Sequence, residues 1–206
     1  LKGNQVPESL TCIAVKNSLR ALGDLAAEWR RRFEIPVIGV TGSNGKTTVK
    51  EMVAAILRKA TWTKESSVVQ QNDPVLATEG NLNNDIGVPL MLLRLRQHHQ
   101  YAVFEMGMNH IGEIAYLTQL VKPDVALITN AGNAHIEGLG SIEAVARAKA
   151  EIFQGLRHQG TAIINADDTY APLWRDYASS YPKIDFGLRQ PAQISATYQM
   201  NDLTSQ

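Results

Sequence analysis

A single cysteine, Cys12, in 206 residues excludes an internal disulfide and any cysteine-built metal cluster, and it fits a reducing compartment. Net charge is missing as well. Twenty Lys and Arg balance twenty Asp and Glu, so no global positive field draws the chain to nucleic acid. The one local cluster, Arg30-Arg31-Arg32, reads more naturally as a solvated helix end than as a binding patch. Long apolar runs are absent: none approaches the roughly 20 residues a membrane span needs, and nothing at the N-terminus reads as a signal peptide. There are no repeats and no low-complexity segments. The expectation is a soluble, cytoplasmic, monomeric protein whose 44% apolar content is enough for one sizeable core, or for one domain plus a piece of another. The chain opens on Leu1, and its last segment, QISATYQMNDLTSQ, alternates as a strand would and then stops, so a piece of a longer protein is expected.

What is present is concentrated in PVIGVTGSNGKTTVKEM, residues 36–52, where an apolar run breaks at a glycine-rich turn and resumes with helical periodicity. A strand over 37–40 would deliver the chain to a turn in which Gly42, Ser43, Asn44 and Gly45 converge their N–H groups on a polyphosphate, aided by the dipole of the next helix. Lys46 would meet the β- and γ-phosphates, and Thr47, followed by Thr48, would ligate Mg²⁺. The match is a variant of the common phosphate loop, since Val40 stands five positions before Gly45 where that pattern has glycine. An ordinary polar turn before a helix is the other reading.

Periodicity places further helices over 18–33, 87–97, 111–121, 141–156 and 168–178, with the loop helix over 47–60. Strands are expected over 101–106, 124–129, 161–165 and 183–186, and the polar stretch after residue 60 is unassigned. The first helix sets Leu19, Leu22, Ala26, Trp29 and Phe33 on one face. This order gives an α/β fold class, a mostly parallel sheet flanked by helices, with ligand groups at the carboxyl ends of the strands.

Several residues at those ends carry chemistry. Glu105 finishes an apolar strand with a carboxylate, placed either to hold Mg²⁺ opposite Thr47 or to cap the next helix. His135 lies in the loop after the next strand, as a metal ligand or as a surface hydrogen-bonding residue. Asn109-His110 and His98-His99 have poorer claims, the latter pair reading as solvated. Lys149 falls in the middle of the stripe Ile142, Val145, Ile152, Phe153 and Leu156 of a helix that Ser141 would cap. Such a lysine either snorkels to water or is held inside, where desolvation lowers its pKa and lets it capture CO₂ as a carbamate.

TGSNGKTTVKEM, ATEGNLNNDIGVPLMLL, FEMGMNHIGEIAYL, ITNAGNAHIEGLGSIEAVARAKAEIF and INADD, in this order, resemble the Mur ligase family of bacterial cell-wall synthesis. The resemblance covers nearly the whole chain, and the loop spacing that departs from the common pattern is the normal one in that family. The loop is shared with folylpolyglutamate synthases. GNLNNDIGVPL and EMGMNHIGEI point to the member that joins D-alanyl-D-alanine to UDP-N-acetylmuramoyl tripeptide.

The resemblance implies ATP bound by Gly42 to Thr48, two Mg²⁺ ions held by Thr47, Glu105, His135 and a carbamylated Lys149, and adenine met by Asn165. It implies a catalytic group of Lys46, Glu105, His135 and Lys149, and a muramoyl peptide near Asn81, Asn83 and Asn84. Residues 1–33 match the tail of an N-terminal uridine-nucleotide domain and a linker helix, and 34–206 match most of a central ATPase domain, expected to be truncated, while a C-terminal domain of the family is not matched and 61–73 fits poorly. The implied reaction forms a peptide bond through an acyl phosphate, and this stretch alone is expected to be inactive. Two other readings stay open: a related ligase adding another amino acid or glutamate, and a nucleotide-binding module without catalysis.

Overall fold

The computed structural model describes residues 12–61, 73–132 and 139–197. Six strands pair in parallel in the order β2-β3-β1-β4-β5-β6. They are β1 (Val37–Thr41), β2 (Val75–Ala77), β3 (Tyr101–Glu105), β4 (Val125–Ile128), β5 (Thr161–Asn165) and β6 (Lys183–Phe186). The helices are α1 (Ser18–Arg30), α2 (Lys46–Thr61), α3 (Gly87–Leu92), α4 (Glu113–Val121), α5 (Ile142–Ala150) and α6 (Ala171–Tyr177). β1 lies in the middle and is buried along nearly its whole length, as a two-sided parallel strand must be. From β1 the chain runs to one edge of the sheet, and from β4 it runs to the other. The crevice of such a sheet therefore opens at the carboxyl ends of β1 and β4.

Strand alternation divides the core in two. Val40, Ala54, Val75 and Val103 meet on the face that α2 covers, while Val37, Phe104, Ala126, Ile128, Ala162 and Ile164 pack with residues of the other helices on the opposite face. α1 starts where Asn17 accepts a hydrogen bond from Arg20 N at 3.0 Å. It buries Ala26 and sends Trp29 Nε1 to Leu95 O at 3.2 Å. Its last residue departs from the solvated-cluster expectation: Arg31 and Arg32 are exposed, but Arg30 is buried, with Nε on Val121 O at 3.0 Å and Nη1 on Phe33 O.

Other departures have local causes. β2 lies in the stretch left unassigned; it is only three residues long and starts beside Pro74. α3 ends at Leu92, five residues before its expected end. α5 gives way after Ala150 to a 3₁₀ turn, Glu151–Gly155, where Thr118 Oγ1 donates to Ile152 O at 2.8 Å and Gly155 lies against the Thr118 backbone with no room for a Cβ. α6 starts at Ala171 because Asp168 folds the preceding turn, accepting from Tyr170 N at 2.8 Å. Of the alternating last segment, Ile194 makes one parallel bridge to Phe186, and residues from 198 onward lie outside the described residues. Among the described residues no helix is long and apolar enough to cross a membrane.

Candidate active site

The glycine-rich turn lies between β1 and α2, and the end of β4 holds it. Ser43 N donates to Asn130 O at 2.9 Å, Asn44 N to Asn130 Oδ1 at 3.0 Å, and Asn130 Nδ2 returns to Asn44 O at 3.0 Å. Thr129 Oγ1 donates to the same Asn44 carbonyl at 2.7 Å. Gly42 (φ +153) and Gly45 (φ +78) take backbone conformations that other residues rarely adopt, and a Cβ on Gly42 would run into the Thr129 side chain. Gly42→Ala is therefore expected to destabilise the protein by roughly 1–3 kcal/mol. Thermal denaturation checks this, and an unchanged midpoint would contradict the packing described. α2 closes its first backbone bond from Val49 N to Gly45 O at 2.9 Å, so the amino end of a 16-residue helix, with its orphan N–H groups and positive dipole, faces the crevice.

Lys46 and Thr47 sit on the first turn of α2. Lys46 Nζ donates to Gly42 O at 2.9 Å, and Thr47 Oγ1 donates to Glu105 Oε2 at 2.8 Å. Glu105 ends β3 with only 2% of its surface exposed; its other oxygen accepts from Asn83 Nδ2 at 2.8 Å. The helix-capping reading of Glu105 is thereby excluded. The amino end of α4 is served instead by Glu151, which accepts from Gly112 N at 2.9 Å and Ala115 N at 3.0 Å, and by Glu113, which accepts from Asn109 N at 2.6 Å. A hydroxyl and one carboxylate, both hard oxygen donors, suit Mg²⁺, which takes one or two protein oxygens and fills its octahedron with phosphate and water. Among the described residues no three His, Cys, Asp or Glu side chains group as a metal cluster. His135 lies outside the described residues.

Lys149 is an interior lysine and does not snorkel: it is 1% exposed on α5, whose Ser141 cap accepts from Ala144 N at 3.0 Å. Burial, and secondarily the charge of Lys46, lowers its pKa to about 7. Helices α2 and α5 thus bring Lys46 and Lys149 within electrostatic reach of each other.

Asn81, Asn83 and Asn84 line a cleft of about 380 Å³ together with Lys46, Asp85, Gly107, Asn109 and Glu113. Asn84 Oδ1 also accepts from Gly87 N at 2.8 Å, so it starts α3. Asn165 joins two strand ends, its Nδ2 on Thr129 O at 2.8 Å and its Oδ1 accepting from Asp167 N at 3.0 Å. Thr48 is exposed on α2. His99, expected to be solvated, is 8% exposed; burial first, then the neighbouring His98, lowers its pKa, and its Nδ1 accepts from Arg96 N at 2.9 Å. Asn130, Thr78 and Asp168, which accepts from Ala131 N at 2.8 Å, belong to the framework of this crevice and were not singled out in the sequence. Asn130 lies two residues after β4 and Asp168 three after β5, at the crevice end, and that placement was the available signal.

The geometry has relatives. The Mur ligase middle domain matches residues 40–206. The chain is 46% identical over 173 residues to the UDP-N-acetylmuramoyl-tripeptide–D-alanyl-D-alanine ligase of Haemophilus influenzae, covering 84% of this chain and 36% of that one. A crystal structure of MurF from Acinetobacter baumannii superposes with a TM-score of 0.79 at 42% identity, over 89% of this chain and 38% of the other. MurF from Thermotoga maritima in complex with ADP superposes with a TM-score of 0.76 at 31% identity, over 91% of this chain and 40% of the other. The chain spans well under half the length of these relatives, and it belongs to the Mur ligase family, whose middle domain it carries.

Proposed function

We propose that this chain is the ATP-binding part of a ligase that joins D-alanyl-D-alanine to UDP-N-acetylmuramoyl tripeptide in the cytoplasm. The observation that carries the reading is the Thr47–Glu105 bond beside Lys46 at the amino end of α2, with buried Lys149 within electrostatic reach of Lys46, in a chain whose relatives bear that ligase name. The turn from Gly42 to Thr48 receives the ATP phosphates on its N–H groups and helix dipole. Thr47 and Glu105 supply oxygen donors to Mg²⁺, with His135 and a carbamylated Lys149 as donors to a second ion. Bound there, the metal neutralises phosphate charge. Asn165, at the end of β5, serves the adenine side, and Asn81, Asn83 and Asn84 serve the muramoyl peptide. Residues 1–33 lead from a uridine-nucleotide domain through a linker helix, and 34–206 belong to the central domain of a protein acting as a monomer.

In the reaction the free carboxylate of the tripeptide attacks the γ-phosphorus in line. Its bond to the β–γ bridging oxygen breaks, and ADP leaves. The amine of D-alanyl-D-alanine then attacks the acyl carbon, the peptide bond forms, phosphate departs and the amine loses a proton. The residues of this chain act by alignment and charge. Lys46 follows the transferred phosphoryl group, and Asn83, by holding one oxygen of Glu105, leaves the other directed toward Thr47. Asn83→Ala should weaken metal-dependent nucleotide binding by about 10–100-fold, the usual cost of losing a partner that orients a ligand. Titration with Mg²⁺-ADP checks this.

A substrate panel tests the assignment. The full-length protein is expected to consume ATP only with the muramoyl tripeptide and D-alanyl-D-alanine together. Preference for glutamate or for another amino acid would reassign it within the family. Residues 1–206 alone are expected to bind nucleotide without making product, since the acceptor amine must also be aligned. Pentapeptide formed by these residues alone would refute that.

A further inference from the structure

We infer that Lys50 is a positioning residue which, from one turn beneath the phosphate turn, sets the spacing between Thr47 and Glu105 and thereby the affinity of the site for a divalent cation. Lys50 is 1% exposed on the inner face of α2, where Ala54 is its buried companion. An apolar residue would be the usual occupant of such a position, because taking an ammonium out of water is costly unless it is fully bonded. Its Nζ donates to Thr78 O at 2.6 Å and to Glu51 Oε1 at 2.5 Å. The Glu51 side chain is 58% exposed, so that ion pair contributes little. The bond to Thr78 is the buried one.

Thr78, itself 1% exposed, leads directly to Glu105: its Oγ1 accepts from Glu105 N at 2.9 Å, and its own N donates to Val103 O at 3.0 Å. Glu105 then accepts from Thr47 Oγ1, back on α2. Thr47 and Lys50 are three residues apart and so are neighbours on the helix surface. The bonds close a ring: Thr47 to Glu105, Glu105 to Thr78, and Lys50 to Thr78. The segment after Thr78 closes on the same carboxylate, since Asn83 Nδ2 holds Glu105 Oε1 at 2.8 Å and Asn83 O accepts from Gly107 N at 2.8 Å. Without Lys50 the ring opens at a buried carbonyl, and among the described residues no other hydrogen bond joins α2 to Thr78, although Val49, Val53 and Ala54 pack near Val75 and Ala77.

The inference rests on Glu105 and Thr47 as cation ligands for its functional readout, and the test separates the two. In the 206-residue chain, Mn²⁺ serves as a spectroscopic stand-in for Mg²⁺ with ADP present, and ADP binding is measured separately with the metal chelated. Lys50→Met should weaken Mn²⁺ binding by about tenfold or more, the scale of an outer partner that orients a ligand, and should change metal-free ADP affinity by less than about twofold. Thr78→Val, which breaks the ring without touching the lysine, should show the same split, and it decides the matter if Lys50→Met does not fold. Wild-type Mn²⁺ affinity in the folded variants overturns the inference. So does an equal loss of metal-free ADP binding, the mark of general loosening. If the wild-type chain binds neither ADP nor Mn²⁺, the functional reading fails and the ring is read by amide exchange: Glu105 N–H should exchange about tenfold faster in the variants, and unchanged exchange overturns the inference.

Discussion

Lys46→Ala in the full-length protein is expected to lower ligation by about 100-fold or more while leaving the fold intact, since loss of one preorganised charge contact on a developing anion typically costs that much. Lys46 is half-buried at the start of α2, and among the described residues its Nζ donates one hydrogen bond, to Gly42 O, so little of the core depends on it. The loss should fall on kcat as well as on kcat/KM, because a point charge on the transferred phosphoryl group matters most where charge moves. Circular dichroism and thermal denaturation of the purified variant check the fold, and steady-state kinetics check the rate. Wild-type turnover would remove Lys46 from the mechanism.

Lys149→Met should have an effect of similar size on ligation and a separate signature in stability. An ammonium at this position would repel Mg²⁺, whereas a carbamate would attract it. Lys149→Ala, which leaves more room, should likewise lose activity, with partial recovery in small carboxylic acids that fill the anionic position. Stability reports the same lysine without any ligand. Its pKa is about 7 in the folded chain against 10.5 for the free side chain, so between those values the unfolded state binds a proton that the folded state does not. Stability therefore rises with pH across that window, by about 1.4 kcal/mol per unit from this group alone, and the advantage is lost as pH falls through 7. Denaturant unfolding at pH 7 and pH 9.5 should show a smaller rise in Lys149→Met. An equal rise in both proteins would mean that the amine is not desolvated as described.

What could be read in the sequence was local. The turn from Gly42 to Thr47 is a contiguous signal between an apolar run and a helix, and its place in the fold follows from the order of elements. Lys149 was legible because a charge interrupting a helical apolar stripe is itself a pattern, and burial chose between its two readings. Glu105 was visible as a carboxylate ending an apolar strand, but its two readings separated only when Glu151, 46 positions further along, proved to serve α4. β2 escaped because three residues are too few to display a period. Asn130, Thr78 and Lys50 escaped for a different reason. Their roles depend on strand pairing and on the packing of α2 against the sheet, which bring residues 86, 27 and 28 positions apart into hydrogen-bonding distance, and no spacing rule spans such separations.

Transfer of the γ-phosphoryl group of ATP to a carboxylate is the step proposed for this site. Positional isotope exchange tests it most directly: ATP labelled with ¹⁸O at the β–γ bridge is incubated with the full-length protein and muramoyl tripeptide, without D-alanyl-D-alanine. Reversible formation of the acyl phosphate frees the β-phosphate to rotate, so the label should move to non-bridging positions, and only when the tripeptide is present. A label that stays in the bridge while the same protein still makes peptide product would contradict the account.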